Sequence, residues 1–158
     1  RAPQGEETLV PSKKAFEVSR GGNLAEMYTL LLKRPRLFEI TEPDGCTPLH
    51  AATIEGHLDM AQLLAQAGAS VHARDREGWQ PFHFACAHGH FGLVQWLLEV
   101  GADIASRTED GWEPMHAAAD SGEVQIARLI REKYDADIRA TSSDGQAVRA
   151  RAARRCDY

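Results

Sequence analysis

The chain repeats a short block of sequence every 33 residues, and this period constrains the fold more than any single residue does. The blocks are Cys46-Thr47-Pro48-Leu49-His50, Trp79-Gln80-Pro81-Phe82-His83 and Trp112-Glu113-Pro114-Met115-His116, each preceded by a glycine. Another glycine follows six residues after each histidine. Periods of about 20–50 residues are typical of stacked units that cannot bury their apolar faces alone. The period therefore predicts a stack with a broad, shallow surface, which favours recognition over chemistry.

Within one unit, residues 44–74 show where two helices begin and end. Thr47 can cap the free amides of a helix whose first residue is Pro48, because proline lacks an N–H that would be unpaired there. Gly56 can end that helix with a positive φ angle, and a second helix is predicted over Leu58–Gln66. Apolar residues recur at three- and four-residue spacing in both helices, which predicts one buried face on each. Each unit is thus predicted to be helix, turn, helix and β-turn finger.

The third unit differs from the other two at the end of its second helix. Gly145 follows Gly111 by 34 residues, so this unit has one extra residue, near Lys133-Tyr134-Asp135. The glycine that ends the second helix in the earlier units is absent here. We therefore expect the helix to end in a wider turn, with Ala136 and Ile138 in the extended stretch that follows.

The repeated pattern resembles the ankyrin-repeat family, whose signature includes the stretches T-P-L-H-x-A-A, G-H, L-L and G-A-D. The matching segments are Thr47-Pro48-Leu49-His50-Ala51-Ala52, Gly56-His57, Leu97-Leu98 and Gly101-Ala102-Asp103. The resemblance covers about residues 44–143 and implies an all-α solenoid of stacked helix-turn-helix units with β-turn fingers. The structural positions of the motif are then Thr47, Pro48, His50, Pro81, His83, Pro114 and His116. Because these histidines recur with the period, we expect them to bond backbone groups and brace the adjacent loop.

The period also sets the expected boundaries of the units. We expect a flexible lead-in over 1–12, an N-terminal capping repeat over 13–43, ankyrin repeats over 44–76, 77–109 and 110–143, and a degenerate or truncated C-terminal capping repeat over 144–158. Lys14–Ser19 and Leu24–Lys33 are the predicted helices of the first cap. The arginines of the last segment are expected on the solvent face of one capping helix, and a nuclear-import or acidic-partner patch is the alternative.

Charge is unevenly distributed along the chain. Residues 44–138 contain six basic and fifteen acidic residues, a net charge of −9, whereas residues 1–43 carry +1 and residues 139–158 carry +3. An acidic repeat region repels phosphate backbones, so nucleic acid is an unfavourable partner. A cationic or mixed-charge protein surface fits better, and a solvated exterior that keeps the chain soluble is the alternative reason for the charge.

Cysteine content and hydropathy indicate the compartment. Cys46, Cys86 and Cys156 form an odd, widely spaced set, which argues against a disulfide framework and favours an intracellular location, cytoplasmic or nuclear. No apolar run is long enough to cross a bilayer, so no membrane insertion is expected. The chain begins at Arg1 rather than Met, and we expect a piece of a longer protein that is monomeric.

The resemblance implies that a concave face, built from fingers and first helices, holds other proteins. The predicted partner-binding positions are Asp44, Cys46, Ile54 and Glu55 in the first unit, Arg76, Glu77, Trp79 and His88 in the second, and Glu109, Asp110, Trp112, Asp120 and Ser121 in the third. Trp79 and Trp112 occupy the same place in adjacent units, so we expect their indoles to form a neighbouring pair about 10 Å apart. Tryptophan is enriched among interface hot spots, although packing against the next finger is an alternative role. The acidic neighbours favour a protein or peptide that offers a basic and an apolar side chain.

The main predicted function is therefore a protein-binding module that acts as an adaptor or scaffold, and a zinc site is an alternative to it. His83, Cys86, His88 and His90 are zinc-type ligands within eight residues. The expected geometry argues against the site, because Cys86 replaces a small residue on the packed side of the helix. His88 is expected to point away from it, to the concave face.

An enzymatic function has less support in the sequence. There is no glycine-rich phosphate loop and no serine or cysteine in the setting of a nucleophile. Glu113 and His116 are three residues apart at a helix start, which capping explains better than acid–base chemistry. We therefore expect no catalysis and no cofactor. A targeting or regulatory domain of a larger enzyme or channel is a further alternative.

Overall fold

A computed structural model describes residues 6–140, and describes side chains over residues 12–135. This part of the chain contains eight α-helices and no strand. The helices are α1 (Glu6–Gly21), α2 (Leu24–Lys33), α3 (Pro48–Glu55), α4 (Leu58–Ala67), α5 (Pro81–Ala87), α6 (Phe91–Glu99), α7 (Pro114–Asp120) and α8 (Val124–Ala140), with a short 3-10 helix at Leu37–Glu39. None of the described helices combines the length and the apolar character needed to cross a bilayer.

The helices stack as two-helix units. The first helices form one layer, in which α1 packs on α3, α3 on α5 and α5 on α7. Each of these helices also packs against the second helix of its own unit. Fully buried side chains fill the space between the two layers, among them Met27, Leu49, Phe82 and Val94. The arrangement confirms the predicted all-α solenoid.

Local sequence sets where the repeated helices begin and end. Helix α3 starts at Pro48 after Thr47, whose hydroxyl accepts a hydrogen bond from the His50 backbone N–H at 3.4 Å. It ends before Gly56, which has φ +82°. Proline is likewise the first residue of α5 and α7, because its missing N–H has no partner to lose at that position. The second helix α4 ends one residue beyond the predicted Gln66.

The first helix is longer than the sequence indicates. Residues 1–12 are expected to be a flexible lead-in, whereas α1 already begins at Glu6, so the backbone of residues 6–12 is helical. Pro11 lies within the helix. Helical geometry therefore begins well before the apolar spacing that marks Lys14–Ser19. Residues 1–5 lie outside the described part of the chain.

The last described helix is also longer than expected. The sequence predicts that α8 ends in a turn near Tyr134, but its backbone stays helical to Ala140, so Ala136 and Ile138 do not lie in an extended stretch. In the earlier units a glycine with positive φ follows the second helix, at Gly68 and Gly101. Without such a residue, helical hydrogen bonding continues. The predicted C-terminal cap over 144–158 lies outside the described residues.

A buried histidine joins the first unit to the second. His50 is fully buried, and its Nδ1 accepts a hydrogen bond from the backbone N–H of Thr47 at 3.0 Å. The ring proton is therefore on Nε2, which donates to the carbonyl oxygen of Trp79 at 3.0 Å. Burial lowers the pKa of His50 below its ordinary value of 6.5, in keeping with a neutral ring. The imidazole thus links the start of its own helix to the finger of the next unit.

The same arrangement recurs one unit later. His83 is fully buried, and its Nδ1 accepts from the backbone N–H of Gln80 at 3.2 Å. Its Nε2 lies 3.1 Å from the carbonyl oxygens of both Ser106 and Trp112. In the third unit, Nδ1 of His116 accepts from the backbone N–H of Glu113 at 2.9 Å. The hydrogen bond from the backbone N–H of the capping residue to the histidine Nδ1 therefore does not require threonine, which only the first unit has at the capping position.

A second set of side chains connects the units at the other end of the first helices. His57 Nε2 lies 2.8 Å from the carbonyl oxygen of Arg20, and His90 Nε2 lies 2.9 Å from that of Ile54. Each ring packs over a glycine of the preceding unit, so that a Cβ at Gly56 would lie 2.6 Å from His90 Cε1. These contacts were not predicted from the sequence.

We predict that Gly56→Ala lowers the free energy of unfolding by about 1–3 kcal/mol, because alanine meets both the positive φ and the His90 ring. Gly122→Ala is the matched control, since Gly122 has φ +75° but open space around its Cβ position. The control should lose only about 1 kcal/mol. Urea denaturation measures both. Equal losses of stability in the two variants would mean that the His90 ring moves away from the added methyl group at no energetic cost.

We also predict that stability falls as the pH drops from about 7.5 to about 5. The folded protein disfavours protonation of His50 and His83, whose pKa values are lowered mainly by burial. As the pH falls through the ordinary value of 6.5, the unfolded chain therefore takes up protons first and unfolding becomes more favourable.

Urea denaturation across this range, on the wild type and His50→Gln, tests the assignment. The variant loses about 1–3 kcal/mol at neutral pH through its unpaired backbone groups. Its stability should then depend less steeply on pH. An identical pH dependence in the two proteins would contradict the assignment.

Candidate functional site

Three equivalent turns form the fingers. In the second, Gly78 N–H donates to the carbonyl of Asp75 at 3.1 Å, and Asp75 N–H donates to the carbonyl of Trp79 at 3.0 Å. The first and third turns, at 42–46 and 108–112, have the same two hydrogen bonds. We call the surface made by these turns and the last residues of α3, α5 and α7 the finger face.

Adjacent fingers are joined through their backbones. Arg76 N–H donates to the carbonyl of Asp44 at 2.9 Å, and Glu109 N–H donates to the carbonyl of Glu77 at 2.9 Å. Pro43 occupies the equivalent place in the first finger and has no N–H to donate. The approach is close, because a Cβ at Gly78 would lie 2.9 Å from the backbone nitrogen of Glu109. The tips of the fingers therefore have fixed relative positions.

The two tryptophans at the fingers lie side by side. Their ring centroids are 6.3 Å apart with an interplanar angle of 35°, closer than the spacing of the units alone suggests. The Trp79 ring also lies 5.1 Å from that of Phe84 on α5. Both indoles are half-buried and pack against the core. They therefore contribute to packing and still present part of their surface to a ligand.

The backbones of both tryptophans are held at N–H and at C=O. Trp79 N–H donates to Asp75 Oδ1 at 2.8 Å, and Trp112 N–H donates to Thr108 Oγ1 at 3.1 Å. Their carbonyls accept from the buried histidines of the preceding units. The rings are thus positioned before any ligand arrives.

Most of the other predicted partner-binding residues are accessible. An exposed acidic residue precedes the glycine of each finger: Asp44, Glu77 and Asp110. The exposed set also includes Glu55, Arg76, His88, Glu109, Asp120 and Ser121, whereas Ile54 is half-buried. The backbone N–H of Cys46 donates to Asp44 Oδ1 at 2.9 Å, and this hydrogen bond lowers the pKa of the Asp44 carboxyl. The fingertip therefore stays negatively charged at neutral pH.

Cys46 is a correction to the predicted surface. It occupies the tryptophan position in the first finger, but it is only 7% exposed. Its burial raises the pKa of the thiol to about 12, so the group stays protonated. Cys46 is therefore not part of the finger face.

A half-open depression lies beside Trp112. It has a volume of about 360 Å³ and is lined by Asp110, Gly111, Trp112, His116, Ala119 and Asp120. The finger and the end of α7 thus face one space in the third unit.

The four zinc-type residues of the second unit are used in other ways. His83 and His90 bond backbone carbonyls through Nε2. Cys86 is fully buried, and its burial raises the pKa of the thiol. His88 is exposed and stacks on His90 with ring centroids 6.1 Å apart. Over residues 12–135, no three His, Cys, Asp or Glu side chains meet in a way that could hold a metal ion.

Glu113 and His116 line a shared cavity of about 370 Å³, but their polar atoms are engaged in hydrogen bonds at the start of α7. Nδ1 of His116 accepts from the backbone N–H of Glu113, as in the other units. The Glu113 carboxylate accepts a hydrogen bond from Arg107 Nε at 3.2 Å and is largely buried in this ion pair. Both groups therefore stabilise the start of α7.

Sequence reasoning missed the contacts that His57, His90 and Glu123 make with the preceding units. The signal was present, because the glycine that ends each first helix is followed by His57, His90 and Glu123 in turn. A Cβ at Gly89 would lie 2.5 Å from Glu123 Oε1, so glutamate takes the place of histidine against that glycine.

Comparison with known proteins places these features in context. A family profile described as "Ankyrin repeats (3 copies)" matches residues 16–108 and 67–142. The chain is 33% identical over 70 residues to Notch-regulated ankyrin repeat-containing protein A of Danio rerio, covering 42% of this chain and 62% of that protein. It is 34% identical over 64 residues to Notch-regulated ankyrin repeat-containing protein of Xenopus laevis, covering 39% and 56%.

A third relative shows the same similarity within a longer protein. The chain is 36% identical over 63 residues to ankyrin repeat domain-containing protein 49 of Bos taurus, covering 40% of this chain and 26% of that protein. The matched segments thus span between about a quarter and just under two thirds of these relatives. Ankyrin repeats are general protein–protein interaction modules, and proteins built from them are typically non-enzymatic. With its 33-residue period, two-helix units and matching profile, the chain belongs to the ankyrin-repeat family.

Proposed function

We propose that the finger face binds a protein or peptide that presents basic and apolar side chains, and that the chain acts as an adaptor or scaffold through this contact. The proposal rests above all on the indole pair of Trp79 and Trp112 at 6.3 Å, with acidic fingertips beside it. The face could serve in the same way as the targeting or regulatory domain of a larger protein.

The tryptophan pair supports the apolar part of this recognition. Large aromatic side chains bury much area with few rotatable bonds, and they dominate binding energy where they occur at interfaces. Hydrogen bonds hold the backbones of both tryptophans and the two rings pack against each other, which lowers the ordering cost of binding a ligand.

The charge of the finger face supports the basic part. The exposed acidic residues on this face are Asp44, Glu55, Glu77, Glu109, Asp110 and Asp120, against Arg76 as an exposed basic residue at a fingertip. Two nearby arginines are engaged within the fold, since Arg107 pairs with Glu113 and Arg74 donates to the carbonyl of Arg107 at 2.7 Å. Like charges on adjacent fingers repel one another, and a cationic ligand relieves that repulsion.

We predict that the double variant Trp79→Ala/Trp112→Ala loses a partner that the wild type retains from a cell extract. Each truncation should weaken binding by about 2 kcal/mol or more, because hot-spot aromatic contacts are removed. Affinity purification followed by mass spectrometry identifies the partner, and titration calorimetry then gives the affinities.

Tyr28→Ala is the control, because Tyr28 is an aromatic residue on the outer helix α2 that is 57% exposed. It should leave binding unchanged. Circular dichroism and thermal unfolding check that each variant is folded. A partner retained equally by the wild type and a folded double tryptophan variant would place the binding site elsewhere.

We further predict that Glu77→Lys/Glu109→Lys slows association with the same partner and makes binding less sensitive to salt, since electrostatic steering acts mainly on the on-rate. Stopped-flow or surface plasmon resonance kinetics at low and high ionic strength measure this. Unchanged association rates at low salt would rule out a role for charge in recognition.

A further inference from the structure

The depression beside Trp112 combines features that are found together at no other place on the finger face. It is lined by a carboxylate from the finger, Asp110, a carboxylate from the end of α7, Asp120, and the indole between them in sequence. Its volume of about 360 Å³ is near the lower end for ligand cavities, which suits one side chain better than a whole small molecule.

Both carboxylates are available to a ligand. Asp110 and Asp120 are exposed, and their carboxylates take part in no hydrogen bond or ion pair among the described residues. Two other acidic groups near the fingers are engaged within the protein. Asp75 accepts hydrogen bonds from two backbone N–H groups, and Glu113 forms an ion pair with Arg107. The depression therefore holds negative charge that the fold does not use.

The indole of Trp112 is rigidly placed in this depression. Its backbone N–H bonds Thr108, its carbonyl bonds His83, and its ring lies against Trp79. A fixed aromatic face beside free carboxylates suits a planar cation, because the cation can stack on the ring and pair with the acids at once.

The equivalent positions show that the site is confined to the third unit. Asp120 corresponds to Ile54 in the first unit and Ala87 in the second, at the same place near the end of the first helix. The first unit also has the buried Cys46 where the third has Trp112. This position near the end of the first helix is therefore apolar in the first two units and acidic in the third.

We propose that this depression is the binding site for one arginine side chain of the protein partner, with its guanidinium against the Trp112 indole and paired with Asp110 and Asp120. The inference rests on the proposed function and makes it specific. It also orients the partner, since the arginine lies at Trp112 in the third unit and the apolar side chain at Trp79 in the second. Arginine is favoured over lysine because its planar, weakly hydrated group both stacks and makes paired hydrogen bonds to carboxylates.

The test uses N-acetyl-arginine amide as the probe and NMR of the three indole N–H resonances, from Trp79, Trp96 and Trp112. Trp96 lies on α6 and is the internal reference. We expect a saturable shift of the Trp112 resonance with a dissociation constant in the millimolar range. N-acetyl-citrulline amide, which has nearly the same shape without the charge, should give no saturable shift.

Asp110→Asn and Asp120→Asn should each weaken binding of the probe about two- to fivefold, as expected for pairs open to solvent. Asp59→Asn is the matched control, because it removes an exposed carboxylate on the second helix α4, outside the finger face. It should leave the affinity unchanged. Near-UV circular dichroism checks folding, and if one aspartate variant is unfolded, the other decides.

No saturable shift of Trp112, an equal response to citrulline, or equal affinities in the wild type and folded aspartate variants would overturn the arginine site. The proposed function is tested separately by the tryptophan variants against the captured partner. If that partner still depends on Trp79 and Trp112 while the probe does not bind, only the arginine site fails. If the partner is indifferent to both tryptophans, the proposed function fails.

Discussion

The hydrogen bond from a buried imidazole to the tryptophan carbonyl of the next unit is the contact on which the stack and its surface both depend. It requires a neutral ring with its proton on Nε2, and burial enforces that state. Because the acceptor is the backbone of Trp79 or Trp112, the bond that joins two units also fixes a candidate binding residue. Stability and presentation of the finger face therefore cannot vary independently.

Contacts between neighbouring units account for the rest of the architecture. The first helices pack in series, the fingers share backbone hydrogen bonds, and His57 and His90 connect the opposite ends of those helices. Stability in such a stack is a sum of units and interfaces between neighbours. A binding surface that spans two or three units is consequently rigid across each interface, which suits recognition of an extended segment.

Much of this fold could be predicted because proline and glycine mark the ends of the short helices. The limits of α2 and α3 follow from such local signals, and α4 differs by one residue. The extra turns of α8 could not be predicted, because no local residue marks its end. Those of α1 could not be predicted because Pro11 favours the start of a helix over its interior. The burial of Cys46 and the packing of His90 over Gly56 depend on neighbouring units, and a single unit's sequence does not contain that information.

The proline at the first finger has a consequence for how molecules of this protein meet. Each later finger donates one backbone hydrogen bond to the finger before it, so the row of fingertips resembles strands paired in a sheet. Pro43 has no backbone N–H, and an extended strand from another molecule finds no donor at that place. Proline at exposed edges is one way in which natural proteins discourage pairing with a further strand, and Pro43 has this effect at its own position in the first finger.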